Sequence, residues 1–142
     1  MSENSSNSSP DLPEDRFRLT TWQQKFAVAG RGIKIAVVQE KSFVFHFAVT
    51  AVVLVAGVAL GISRVEWCII VLAIMAGLST ELLNTSIEYL AKAITRETNP
   101  YIRDALDVAS GAVTLIAIGA IVLGLLVIGN ALWEFFFLVA SC

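Results

Sequence analysis

Glu81, Asn84 and Glu88 stand in the stretch GLSTELLNTSIEYLAKAI, Gly77 to Ile94, among the apolar residues Leu82, Leu83 and Ile87. Their spacing of i, i+3 and i+7 puts two carboxylates and an amide on one face of a helix. Acids inside an apolar helix are costly, face the protein interior and mark function by default. Two carboxylates meeting near a third have the chemistry to hold a divalent cation. Mg²⁺ takes hard oxygen ligands and is commonly shared with substrate phosphates. A carboxylate lying slightly deeper than the ion could serve as general base on a lipid hydroxyl. The structural alternative is that these groups only hydrogen-bond helices to one another.

The elements that must position them are read from composition and periodicity. The chain has 142 residues, 56% hydrophobic and 15% charged, with mean hydropathy +0.75. Soluble domains carry about 25% charge, so an integral membrane protein is expected. No basic block stands out, so no nucleic-acid partner is expected. Cys68 and Cys142 have neither disulfide-framework nor metal-ligand spacing. Residues 1–15 are rich in Ser and Asn and contain two prolines. They read as a disordered polar tail, and no apolar signal segment precedes the domain at 16–142.

Residues 16–39 alternate Phe17, Trp22, Phe26, Ile33 and Val37 with Arg16, Arg18, Lys25, Arg31 and Lys34. That pattern is too charged to span and predicts an amphipathic helix in the membrane interface. Spans are expected at about 43–62, 67–94 and 108–128, each near the ~20 apolar residues a bilayer requires. Asn99-Pro100 reads as a helix breaker, and residues 129–142, with Trp133 and three phenylalanines, as a C-terminal interfacial tail. The fold class is therefore all-α integral membrane, an interfacial helix plus three transmembrane helices. Gly57 and Gly61 are a candidate packing pair.

Lys and Arg set the orientation. Arg16, Arg18, Lys25, Arg31, Lys34 and Lys41 precede the first span, Lys92, Arg96 and Arg103 lie near the second loop, and only Arg64 is in the first. The N-terminus is expected in the cytoplasm and the C-terminus outside. A rise of about 1.5 Å per residue from Glu66 then puts Glu81 roughly 22 Å and Glu88 roughly 33 Å inward, near the cytoplasmic edge of a hydrocarbon about 30 Å thick. Glu40 and Asp107 fall at that level too. Asp107, Ser110, Gly111 and Thr114 form a small polar stripe, open to tight helix packing or to a head-group or nucleotide contact. His46 reads as a hydrogen-bonded structural histidine or a head-group contact. No P-loop or protein-kinase signature is present.

The stretch from Glu81 to Glu88 resembles the E-x-x-N-[ST]-x-[IV]-E signature of the prokaryotic diacylglycerol kinase family, which includes undecaprenol kinases. ALDVASGAV, Ala105 to Val113, is similar to that family's AKDxxAxAV segment. AGRGIKIAVVQEKSFVFH, Ala29 to His46, is similar to its surface helix and acidic turn. The resemblance runs from about Thr21 to Ile128. It implies a lipid kinase of the cytoplasmic membrane, a homotrimer with sites between subunits, using Mg²⁺ with ATP and a lipid alcohol. Diacylglycerol is the first expected substrate, undecaprenol the alternative. By the resemblance, Glu81 is the catalytic base, Glu40 and Glu88 bind the metal of MgATP, and Glu97 and Asp107 contact the nucleotide. Asn84 supports Glu81, and Ser110 contacts the lipid.

Two departures bear on activity. The family's lysine before the aspartate is Leu106 here, and a commonly acidic position is Lys92. Arg103 and Lys92 are the candidate substitutes for the missing phosphate-facing charge. Without a substitute, a catalytically weak or inactive membrane scaffold is the further alternative.

Overall fold

The computed structural model describes residues 21–95 and 97–140. They form four helices and no strand: α1, Trp22–Gln39; α2, Lys41–Leu60; α3, Arg64–Ile94; and α4, Pro100–Ala140. The expected tail at 1–15, Arg16, Arg18, Arg96 and Cys142 lie outside the described residues. The chain divides into two compact units, Met1–Gly32 and Ile33–Cys142.

In the first unit, Thr21 and Gln24 form a reciprocal cap. The Gln24 N–H donates to Thr21 Oγ1 and the Thr21 N–H to Gln24 Oε1, both at 3.3 Å, satisfying two donors that a helix start leaves open. Lys25 Nζ stands 4.7 Å from the Trp22 ring centroid, a cation–π contact.

In the second unit, three helices are long and apolar enough to cross a membrane, making this a multi-pass membrane protein. Their apolar side chains point outward in number, among them Val44, Val55, Leu72, Leu115, Ile121 and Leu125. In water such helices would have to be buried; in lipid the outward face has its solvent. α3 has 31 residues, about 46 Å at 1.5 Å per residue.

Local sequence fixes where these helices turn. Gly61, at φ +63°, closes α2. Its N–H donates to the Val58 carbonyl and that of Ile62 to the Gly57 carbonyl, each at 3.2 Å, the Schellman pattern that favours glycine. Two residues on, Ser63 and Glu66 form a capping box for α3. The Asn99 side chain then accepts from Tyr101 N–H at 3.0 Å and Ile102 N–H at 3.4 Å. Pro100 is the first residue of α4, where its missing N–H costs nothing. Asn99-Pro100 thus starts a helix as well as breaking one. α4 begins eight residues before the expected span and continues through Gly129 and Asn130 to Ala140.

α3 and α4 pack on each other more extensively than either packs on α2. They run antiparallel, and the bundle's two ends differ. At the α2–α3 turn, Ile62, Ile70, Val127 and Ala131 form a buried apolar cluster flanked by Trp67. Gly57 is buried there, and a Cβ on it would stand 3.0 Å from Ile62 Cδ1 and 3.1 Å from Trp67 Cη2. The glycine pair is therefore a close-packing site at Gly57 and a turn at Gly61. The other end is polar.

Candidate active site

At the polar end, the α1–α2 junction, α3 and α4 surround a cavity of about 620 Å³. Its walls follow from helix periodicity. From α3 come Glu81, Asn84, Thr85 and Glu88, one stripe. From α4 come Ser110, Val113 and Thr114. Gln39, Glu40, Lys41, Ser42 and His46 come from the junction and the first two turns of α2. The stripe expected from spacing therefore does face inward.

Glu81 is 4% exposed. A buried carboxylate is tolerable only with partners, and α2 provides them. The Ser42 hydroxyl donates to Glu81 Oε1. His46 Nε2 lies 3.9 Å from Oε2. Ser42 and His46 are four residues apart, hence stacked on one face of α2, and each addresses a different oxygen of the same carboxylate. Phe43, 2% exposed, anchors that turn of α2 between them.

Asn84 Nδ2 donates to Glu88 Oε1 at 3.1 Å. Its Oδ1 is buried and has no partner among the described residues. Such an acceptor costs about 1–3 kcal/mol, and native structures keep few of them. Glu88 Oε2 pairs with Lys92 Nζ at 3.6 Å. Farther along that face, the Tyr89 hydroxyl donates to Gln39 Oε1 and ties α3 to the end of α1.

The remaining sequence candidates divide. Glu40 is half-buried between α1 and α2 and lines the cavity with Glu81, Asn84, Glu88 and Ser110. Asp107, one turn before Ser110 on α4, is exposed and does not line it. Glu97 is exposed in the α3–α4 loop, its N–H donating to Thr95 Oγ1 at 3.0 Å. Arg103 shares a face with Asp107 because α4 starts at Pro100, but its guanidinium pairs with Asp104 at 3.5 Å. Lys92 is occupied by Glu88. Neither basic candidate lines the cavity.

Sequence reasoning missed Ser42, Lys41, Thr85 and Gln39. Ser42 had a signal: it lies four residues before His46, at the head of the span whose acidic edge is Glu40.

The donor set is made of oxygens. Glu40, Glu88 and the unpaired Asn84 Oδ1 fit a hard ion such as Mg²⁺. Among the described residues, no three His, Cys, Asp or Glu side chains cluster closely enough to hold an ion alone. An ion here would complete its shell from phosphate oxygens and water, the usual habit of Mg²⁺. The arrangement sets a buried, partnered carboxylate, Glu81, beside the oxygens of Glu40, Glu88 and Asn84 in one cavity.

The family model described as prokaryotic diacylglycerol kinase matches residues 27–128. An undecaprenol kinase of Bacillus subtilis (strain 168) is 38% identical over 117 residues, covering 82% of this chain and 95% of the relative.

Proposed function

This chain belongs to the prokaryotic diacylglycerol kinase family and is a membrane-bound, ATP-dependent lipid kinase; from that premise, we propose that Glu81 is its general base and undecaprenol its acceptor. The observation that carries the first point is the Glu81 carboxylate, buried at the cavity wall and gripped by Ser42 and His46. The named relative supports the second. Diacylglycerol, ranked first on sequence, becomes the second reading, favoured by the family's description.

The lipid hydroxyl approaches Glu81 from the apolar side. Its proton passes to the carboxylate as its oxygen forms a bond to the γ-phosphorus. The bond from that phosphorus to the bridging oxygen breaks, and ADP leaves with the electron pair. The charge spreads over phosphoryl oxygens, so positioning and electrostatics carry most of the catalysis. Bound with ATP, Mg²⁺ would neutralise phosphate charge between Glu40 and Glu88. Asn84 fixes Glu88 and adds its Oδ1, unpaired among the described residues, to the oxygens open to the ion, and Ser110 faces the same space from α4.

The wider assembly belongs to this proposal. α1 lies along the interface, the N-terminus faces the cytoplasm and the C-terminus the outside. The chains form a homotrimer in which Asp107 and Glu97, both turned to the exterior of one chain, contact nucleotide at a neighbour's cavity. The exposed apolar sides of α2 and α4 supply surface for such packing.

Purified protein given labelled ATP with undecaprenol or diacylglycerol tests the reading. Undecaprenol is expected to be phosphorylated at the higher kcat/KM. Glu81→Gln is expected to remove transfer by about 10²–10⁴-fold, the range of general base catalysis. Preference for diacylglycerol would reverse the acceptor assignment, and a Glu81→Gln enzyme of unchanged rate would sink the base.

A further inference from the structure

We infer that Lys41 provides the positive charge that meets the phosphates in this cavity, an assignment that rests on the lipid-kinase reading. Among the described residues, the cavity lining holds three carboxylates, Glu40, Glu81 and Glu88, and a single Lys or Arg, which is Lys41. A triphosphate entering such a site adds negative charge to negative walls. Fixed cationic or hydrogen-bonding groups aimed at the developing charge usually do most to lower the barrier to phosphoryl transfer.

Among the described residues, the other basic side chains of the second unit are committed or elsewhere. Lys92 is paired with Glu88 and Arg103 with Asp104. Lys34 does not line the cavity. Leu106 is apolar and half-buried. Lys41 has no ion-pair partner among the described residues, is exposed, and stands at the first position of α2, next to Glu40 and one residue from Ser42. A lysine there is a compact charge on a flexible four-carbon stem. It can follow the γ-phosphate from ground state to transferred product. The residue needs no contact with Glu81 to do so, because Ser42 and His46 already hold that carboxylate.

The test compares full-length Lys41→Met, Lys41→Arg, Arg103→Met and Lys34→Met for phosphoryl transfer and for equilibrium binding of adenylyl imidodiphosphate with magnesium. Lys41→Met is expected to lose about tenfold to a hundredfold in kcat, at the lower end of the effects of removing one charge-stabilising donor. It should also bind the analogue more weakly, with the KM for lipid little changed. Lys41→Arg should keep most of the rate and Lys34→Met all of it. Because Lys41 is exposed, each variant should melt with the wild type. A Lys41→Met enzyme with wild-type kcat and analogue affinity overturns the assignment alone, as does a loss found in Arg103→Met instead. A wild type that phosphorylates no lipid alcohol overturns the kinase reading and this assignment with it.

Discussion

The Ser42 hydroxyl and the Glu81 carboxylate, 39 positions apart in sequence, are hydrogen-bonded across α2 and α3. The bond fixes one oxygen of the carboxylate and leaves His46 beside the other. The orientation of the proposed base is thus set by a different helix from the one that carries it.

Removing that hydroxyl should therefore affect chemistry more than binding. Ser42→Ala is expected to lower kcat by about tenfold, the equivalent of the ~1.4 kcal/mol that misorienting one hydrogen-bonded group costs. KM for ATP should stay within about twofold, and Ser42→Thr should restore the rate. Steady-state kinetics on the three enzymes checks this. Equal kcat in wild type and Ser42→Ala would show that Glu81 needs no such partner.

Asn84 separates stability from function. Its Oδ1 is buried without a partner among the described residues, so Asn84→Ala removes an acceptor that costs about 1–3 kcal/mol. It also removes the bond to Glu88 at 3.1 Å, worth about 1 kcal/mol. The melting temperature in detergent is expected to hold or rise while kcat/KM falls at least about tenfold. A variant both less stable and fully active would mean that Asn84 is a packing residue.

Gly57 should show the opposite separation. A Cβ there meets the Trp67 indole at 3.1 Å, so Gly57→Leu overpacks the apolar end by about 1–3 kcal/mol. Thermal unfolding should shift down, yet the enzyme that remains folded should keep its wild-type KM for both substrates. Pairing it with Trp67→Ala should recover part of the loss. No recovery in that double variant would place the strain elsewhere.

Asn99 accepts two backbone N–H bonds at the start of α4. Asn99→Ala should cost about 1 kcal/mol, and amide exchange should quicken at Tyr101 and Ile102 while Val127 to Ala131 stay protected. Unchanged exchange at Tyr101 would show that Pro100 alone holds the helix start.

Much of this was legible in the sequence because lipid simplifies the reading: long apolar runs must be helices. The Glu81, Asn84 and Glu88 stripe was legible because its members share one helix, where spacing fixes the face. What escaped depends on register between helices. Nothing in the local sequence says that Ser42 meets Glu81, or that Lys41, countable only as an orienting charge, borders the same cavity as Glu88. Asp107 and Arg103 showed the converse limit. Their level along the chain was inferable, but their outward direction on α4 was not. The early start of α4 was hidden by a rule applied one way, since a proline that ends one helix serves equally at the first position of the next.

α3 is longer than the hydrocarbon is thick, and the four residues it gives the cavity, Glu81, Asn84, Thr85 and Glu88, sit on its last turns. A greasy alcohol and a water-loving nucleotide seldom share a solvent. In the proposed reaction, a rod that emerges from oil into water while carrying that stripe gives them a shoreline. Neither reactant has to cross into the other's phase for the two to meet.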